Sequence, residues 1–340
     1  MNNFLLSICI PTYNRPNELR RMLESIDSLN YEEIDIVISE NCSPKQLETR
    51  AVVEDFKAKT DFTVHYYENE RNVGYDKNIR ALIKRSDGFF SMYFSDDDVF
   101  VPGALDQFVS FIKLHLEAGY ILRSYCGIDD NNVYGEARYY STDRTFPPGK
   151  DTYIELFDKS VFLSGFTIRT EYAKTYETDL LDGSLLYQLY QLAEVCYRYP
   201  AAYSRILISK QLPVNIHFFG DCKEEQDFYK GESMTGTNNL NFLRWYMKLI
   251  DYVAELHRDD SASIIRHNMS KYSYPLLSFE IKANGTGQSY KSYCQALKEM
   301  GLASSIYFKI YYYSLKLFGV KICDKIILFL KKIIGHRPKL

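Results

Sequence analysis

Five short runs of apolar, β-branched and aromatic residues divide the first 125 positions: LLSICI (5–10), IDIVIS (34–39), FTVHYY (62–67), FFSMYF (89–94) and YILRSY (120–125). Between them the apolar residues recur at three- and four-residue spacing, over 17–29, 44–59, 76–86 and 103–119. The first pattern predicts buried strands and the second predicts helices with one apolar face. Pro44, after Ser43 as a candidate cap, suits the start of the second helix. Strand and helix alternating at this spacing imply an α/β fold, a mostly parallel sheet covered on both faces.

In such sheets ligands bind beyond the carboxyl ends of the strands. Four polar segments fall there: PTYNRP (11–16), ENCS (40–43), ERNVGYDKN (70–78) and the aspartate run of FSDDDVF (94–100). The rival reading of each is an ordinary solvated turn. A structural sheet, however, has no reason to collect Asn, Arg, Glu and three Asp on one rim.

Beyond 127 the pattern weakens into a Gly-, Pro-, Asn- and Asp-rich stretch, read as loops with an irregular hairpin. It resumes at VFLSGFTIRTEYA (161–173). A helix follows over 184–199, opening at Asp182, Gly183 or Ser184, then a strand at 202–209 and helices over 240–257 and 288–300. The expected organisation is a catalytic domain over 1–215, with a first half to 110 and a second from 111, then a helical extension over 216–302 and a basic tail over 303–340.

Charge changes the picture only at that tail. The 340-residue chain has a net charge of −3, yet residues 301–340 carry eight basic residues against the single acid Asp324. That is a net of about +7, which leaves the remainder near −10. A nucleic-acid binder would spread basic charge over its body, so nucleic acid is excluded as a partner. In the tail, lysines interleave with Ile, Leu, Phe and Tyr. This is the pattern of an amphipathic helix pair drawn to anionic lipid, its rival being a helix packed on the body with lysines in solvent. The seven cysteines are scattered and never spaced CxxC, against a disulfide framework or zinc site and in favour of a reducing compartment. The N-terminus lacks a signal-peptide pattern and no apolar run reaches membrane-span length, so the expected location is cytoplasmic.

Three adjacent carboxylates at a strand end repel one another, and burying them is costly unless a cation sits among them. Asp96, Asp97 and Asp98 are therefore candidate ligands for a hard divalent ion, Mn2+ or Mg2+.

SICIPTYNRP, IVISENCS, RNVGYDKN and FSDDDVF, in this order and spacing, resemble the family 2 glycosyltransferases of the GT-A fold, strongly over residues 4–110 and more loosely over 160–200. Within the family the likeness is to bacterial surface-polysaccharide enzymes, including the abequosyltransferase-like branch. The resemblance implies a GT-A, Rossmann-like sheet with a mainly helical C-terminal extension. It also implies inverting, metal-dependent transfer from a nucleotide diphosphate sugar to a saccharide acceptor, polyprenyl-linked, at the inner face of the membrane. Pro11, Thr12, Tyr13 and Arg15 match the family's first nucleotide loop. Glu40 stands where the family carries the Asp that contacts the base, leaving uridine, thymidine and cytidine open. Arg71, Asn72 and Gly74 match the loop that meets nucleotide and phosphates. Asp96 matches the ribose or metal aspartate, while the metal register along Asp96, Asp97 and Asp98 stays open.

Inverting transfer needs a base for the acceptor hydroxyl. Asp182 is the first candidate, placed just before the helix expected from Ser184, where a helix N-terminus favours an ionised carboxylate; Asp179 and Glu194 are the alternatives, with His217 a weaker one. Lys77 and Arg80 read as solvated helix residues. The competing functions are a nucleotidyltransferase, for which PTYNRP is a poor phosphate loop, and a non-catalytic sugar-nucleotide- or glycan-binding partner.

Overall fold

The computed structural model describes residues 4–128, 134–213, 218, 220–230 and 235–334. They divide into two compact units, Met1–Asp227 and Phe228–Leu340. Residues 218–227 thus fall with the sheet, and the helices from Gly236 onward share one unit with the tail.

The first unit alternates as the apolar pattern requires: β1 (Phe4–Thr12), α1 (Pro16–Glu24), β2 (Ile34–Glu40), α2 (Gln46–Lys57), β3 (Thr63–Glu68), α3 (Tyr75–Arg85), β4 (Gly88–Tyr93), β5 (Val99–Phe100), α4 (Ala104–Lys113) and β6 (Tyr120–Ile128). It continues through β7 (Tyr134–Ala137), β8 (Arg144–Phe146), α5 (Lys150–Phe157), β9 (Phe166–Arg169), α6 (Thr170–Thr175), α7 (Tyr187–Arg198) and β10 (Ala201–Lys210). The strands form one sheet in the order β3-β2-β1-β4-β9-β6-β10-β5, with β7 on β6 and β8 on β10. β1 through β4 pair in parallel, and so do β6 and β10. β9 runs antiparallel between β4 and β6. This is the GT-A-type arrangement, a mostly parallel sheet flanked by helices.

One face is closed by α1, α2 and α4, whose Leu19, Met22, Leu23, Val52, Val53, Leu105 and Phe108 pack with Ile8, Ile36 and Phe90 of the strands. Each such side chain contributes about 1.5–3 kcal/mol on burial. Pro16 at the first turn suits α1, since the N–H it lacks would be unpaired there anyway. On the other face α3 buries Ile79, Leu82 and Ile83 against β1 and β2, with α6 and α7 beside it. β1 has β2 on one side and β4 on the other, so the chain winds in opposite directions from it. The crevice beyond β1 and β4 is the topological switch point of the sheet.

The second unit is helical: α8 (Gly236–His257), α9 (Ser261–Lys271), α10 (Tyr274–Asn284), α11 (Gln288–Glu299) and α12 (Ile306–Ile334), the last broken at Gly319. Phe308, Leu315 and Cys323 of α12 are buried. The tail packs on α9 and α10, and Tyr312 stacks on Tyr290 of α11. No described helix is long and apolar enough to cross a membrane.

Candidate active site

A cavity of about 280 Å³ opens at the switch point, lined by Pro11, Thr12, Tyr13 and Arg15 after β1 and by Ser95, Asp96 and Asp97 after β4. Asn72, Gly74, Leu185, Phe218 and Glu225 complete much of its wall. The chain reaches this geometry through Asn14, whose left-handed backbone (φ 60°) turns the loop so that Arg15 swings back over β4. Arg15 Nη1 lies 3.2 Å from Asp96 Oδ1 and also pairs with Asp97 Oδ2. Thr12 Oγ1 donates to Asp96 Oδ2 at 2.8 Å, and Ser95 Oγ donates to Asp97 Oδ1. Phe218 meets the Tyr13 ring edge-on at 5.6 Å and lies under the Arg15 guanidinium.

Burial pushes the Asp96 carboxyl up to about 7 against the pull of Arg15, and pushes Asp98 up to about 8 with the neighbouring Asp97 adding to it. One guanidinium therefore leaves this cluster short of positive charge, which is the chemistry of a donor set that accepts a cation. Asp96 and Asp97 line the cavity. Asp98 does not: its carboxylate accepts from Ser164 Oγ. Among the described residues no three His, Cys, Asp or Glu side chains are gathered as a preformed metal cage. A divalent ion here would draw further ligands from substrate and water, as hard cations with one or two carboxylates do.

Beneath the run, Arg123 of β6 is fully buried and donates from Nη2 to the carbonyls of Tyr93 and Phe166, at 2.7 and 3.0 Å. Its guanidinium faces the rings of Phe94 and Phe108, and burial lowers its pKa to about 9. An arginine inside the apolar run YILRSY was the available signal for it.

The nucleotide-side loop is held by an amide network. Asn41 Oδ1 accepts from Asn69 Nδ2 and Val73 N, and its Nδ2 donates to Asn72 Oδ1 at 2.9 Å. Asn78 bridges Ser39 and Asn69 behind it. Gly74, at φ 81°, starts α3, and the Tyr75 N–H donates to Glu225 Oε1 at 2.7 Å. A Cβ on Gly74 would meet Cys222 Sγ at 2.8 Å and Glu225 Oε1 at 2.9 Å.

Several expected residues sit elsewhere. Glu40 is buried away from the cavity lining, accepting from Cys42 N, Ser43 N and Gln46 Nε2, so it shapes its own turn. Arg71 stays outside the lining, largely exposed and 3.8 Å from Glu224. Lys77 and Arg80 are ion-paired rather than free in solvent: Lys77 pairs with Glu224 at 2.7 Å, and Arg80 pairs with Asp182 at 2.7 Å over the Tyr187 ring.

The helix expected from Ser184 begins at Tyr187, so Asp182 does not cap it. Asp76 of α3 does so from across the unit, accepting from Leu185 N at 2.9 Å and Tyr187 N at 3.0 Å. The turn leading there carries positive φ at Gly183 and Leu185. Desolvation raises buried Asp76 to about 7. Glu194 is buried mid-helix and paired with Arg198 at 2.9 Å, and Asp179 is exposed; like Asp182, neither lines the cavity, although Leu185 of the Asp182 turn does. His217 lies outside the described residues. Sequence reading missed Asp76 and Glu225, whose roles depend on partners 109 and 150 positions away.

The profile of the family described as Glycosyl transferase family 2 matches residues 7–169. Abequosyltransferase RfbV of Salmonella typhimurium is 33% identical over 105 residues, 30% of this chain and 30% of that protein. The GalNAc(5)-diNAcBac-PP-undecaprenol beta-1,3-glucosyltransferase of Campylobacter jejuni is 29% identical over 101 residues, 29% of this chain and 32% of its own length. The matched stretch thus spans about a third of each relative. Among solved structures, S. aureus TarS 1-349 in complex with UDP-GlcNAc shares the fold at TM-score 0.61 and 12% identity, covering 92% of this chain and 91% of that one. Residues 7–169, which deliver both strand ends of the cavity, match the model of glycosyl transferase family 2, and the chain shares the fold of TarS.

Proposed function

We propose that the chain moves one sugar, with inversion, from a nucleotide diphosphate sugar to a saccharide hydroxyl in surface-polysaccharide assembly. The observation that carries this reading is the meeting of Arg15, Asp96 and Asp97 with Tyr13, Asn72 and Gly74 around one cavity at the sheet's switch point. The similarity to TarS, solved with UDP-GlcNAc, favours a uridine donor. The likeness to a glucosyltransferase named for an undecaprenol-linked saccharide favours a polyprenyl-linked acceptor. Such an acceptor puts the enzyme at the inner face of the membrane, as a peripheral protein.

In this reading Tyr13 and Phe218 flank the base, and the Asn72–Gly74 backbone admits the nucleotide closely. Arg15 holds Asp96 and Asp97 in place. These two aspartates would hold Mn2+ or Mg2+, which when bound would supply positive charge against the departing diphosphate. Asp98, anchored to Ser164, fixes the far end of the run.

Asp182 is the base. Its turn supplies Leu185 to the cavity wall, and an acceptor hydroxyl would take the place of its ion pairs with Arg80 and Lys77. Glu225 also reaches the wall, but its carboxylate is tied to the backbone N–H groups of Tyr75 and Gly220, so it holds the loop.

The test is a panel of nucleotide sugars screened for thermal stabilisation with and without Mn2+, followed by transfer to a saccharide acceptor. Stabilisation by one nucleotide sugar, strengthened by metal, is expected. Binding without any transfer would leave a sugar-nucleotide-binding protein and overturn the reading.

A further inference from the structure

The tail helix α12 is amphipathic in an unusual sense, because it is apolar on two faces. One face, with Phe308, Leu315 and Cys323, is buried in the second unit. The opposite one leaves Ile306, Ile310 and Leu317 exposed before the break, and after it Ile322, Ile326 and Phe329 are exposed on the flank beside Cys323. These positions recur at four- and seven-residue spacing, so each half of the helix presents a single stripe. Leu317 is 76% exposed and Phe329 63%, far more than isolated surface apolar residues need.

Lysines border the stripe on both sides of Gly319. Lys309 and Lys316 run along one edge of the first half, and Lys321 and Lys325 along the same edge of the second; all four are exposed. The single acid of the tail, Asp324, is turned away: it accepts from the Tyr274 hydroxyl at 2.6 Å and pairs with Lys282 at 3.5 Å. A groove at the start of the helix adds Lys298, Tyr312 and Tyr313 beside Lys309. The outward surface of the described part of α12 is therefore apolar and cationic, with Asp324 held on the other side.

We propose that this stripe is a membrane-docking face, its Ile, Leu and Phe side chains inserted among acyl chains and its lysine edge set on anionic headgroups. A second copy of the chain is the poorer occupant, because it would bring the same lysines against these. The assignment deepens the peripheral-membrane part of the proposed function and is independent of the transfer chemistry. Deleting the tail cannot test it, since the other face is packing; substitutions on the exposed stripe can.

The full chain is sedimented with phosphatidylcholine vesicles, with and without phosphatidylglycerol. The wild type is expected to bind the anionic vesicles and to release partly as salt rises. Ile310→Ser, Leu317→Ser and Ile326→Ser together should lower binding more than tenfold while the melting temperature and transfer to a water-soluble acceptor stay unchanged. Replacing Lys309, Lys316, Lys321 and Lys325 by Gln should weaken anionic binding about fivefold per lysine. Three results would each overturn the proposal: wild type that ignores anionic vesicles, equal binding to both vesicle types, or a dimer in sedimentation equilibrium that the serine variant dissociates. Because soluble-acceptor transfer is read in parallel, failure here and failure of the transferase reading are told apart.

Discussion

Arg15 and Asp96 meet with 3.2 Å between Nη1 and Oδ1, one delivered by the loop after β1 and the other by the end of β4. The same guanidinium reaches Asp97, so a single fixed cation serves two carboxylates at the cavity wall. Substitutions here separate charge from fold. Asp97→Asn removes one negative charge from a repelling run, so the apo melting temperature should hold or rise. Its stabilisation by Mn2+ with nucleotide sugar should vanish. Thermal shift with and without metal reads both, and an undiminished metal response in Asp97→Asn and Asp96→Asn alike would refute the assignment.

Asp182→Asn is expected to keep donor affinity and to lower the transfer rate by about 10²–10⁴-fold, the usual contribution of a general base. Loss of its pairs with Arg80 and Lys77 should cost about 1 kcal/mol of stability. Glu225→Gln should do the reverse, weakening donor binding through the α3 loop with a smaller effect on the rate for bound donor. Single-turnover kinetics beside calorimetric donor binding separates the two. If Glu225→Gln alone stops turnover, the base has been placed on the wrong carboxylate.

Gly74 and Gly103 form a matched pair of left-handed glycines. At Gly103 (φ 71°) an added Cβ meets nothing, so Gly103→Ala should cost only about 1–2 kcal/mol of backbone strain. At Gly74 the backbone (φ 81°, ψ 170°) lies in a region reserved for glycine, and the Cβ would also press on Cys222 and Glu225. Gly74→Ala should therefore lose clearly more, about 3 kcal/mol, and weaken donor binding as well. Chemical denaturation of both variants makes the comparison, and equal losses would mean that the Cys222 and Glu225 contacts yield freely.

Asp76 predicts a pH dependence of stability. Desolvation first, then Glu225 and Asp182, lift its carboxyl to about 7 in the folded chain from its usual 3.8, against the N–H groups of Leu185 and Tyr187. Between those values the folded state holds a proton that the unfolded chain has released. Stability should therefore fall as pH rises toward 7, by about 1.4 kcal/mol per unit at most, and level off above it. Asp76→Asn should flatten this part of the profile while losing some stability, since the amide NH2 that replaces one carboxylate oxygen would face an N–H donor. Urea midpoints across pH 5–8 read the slope; an unchanged slope in Asp76→Asn would assign it to other carboxylates, such as Asp96 or Asp98.

Local pattern revealed β1 to β4, β6, β10 and the helices between them, because each is long enough to show its own period. The cavity's strand-end residues Thr12, Tyr13, Asp96 and Asp97 followed from the rule that ligands sit beyond parallel strands. What stayed hidden depends on distant partners. β9 is four residues inside VFLSGFTIRTEYA and is a strand because β4 and β6 bracket it. The start of α7 was misplaced because its cap comes from Asp76 on another helix. Glu40 kept a familiar position, but its carboxylate turned to its own loop. Glu225 lies in a stretch with no periodicity and is defined by the start of α3 and by its own loop.

The place of β9 in the sheet bears on how the chain can be made. β4 gains one neighbour, β1, early in synthesis, but its other edge waits for residues 166–169, and β6 is joined to it only through the same strand. While the intervening segment is being synthesised, the half-sheet β3-β2-β1-β4 presents an apolar unpaired edge at its future centre, the kind of edge that invites pairing with other chains. A fragment ending after α4 should therefore aggregate, whereas one ending after β10, with β4 and β6 each paired on both sides, should not. The antiparallel strand β9 and the late strand β10 together set the length of chain below which this domain is unsafe to release.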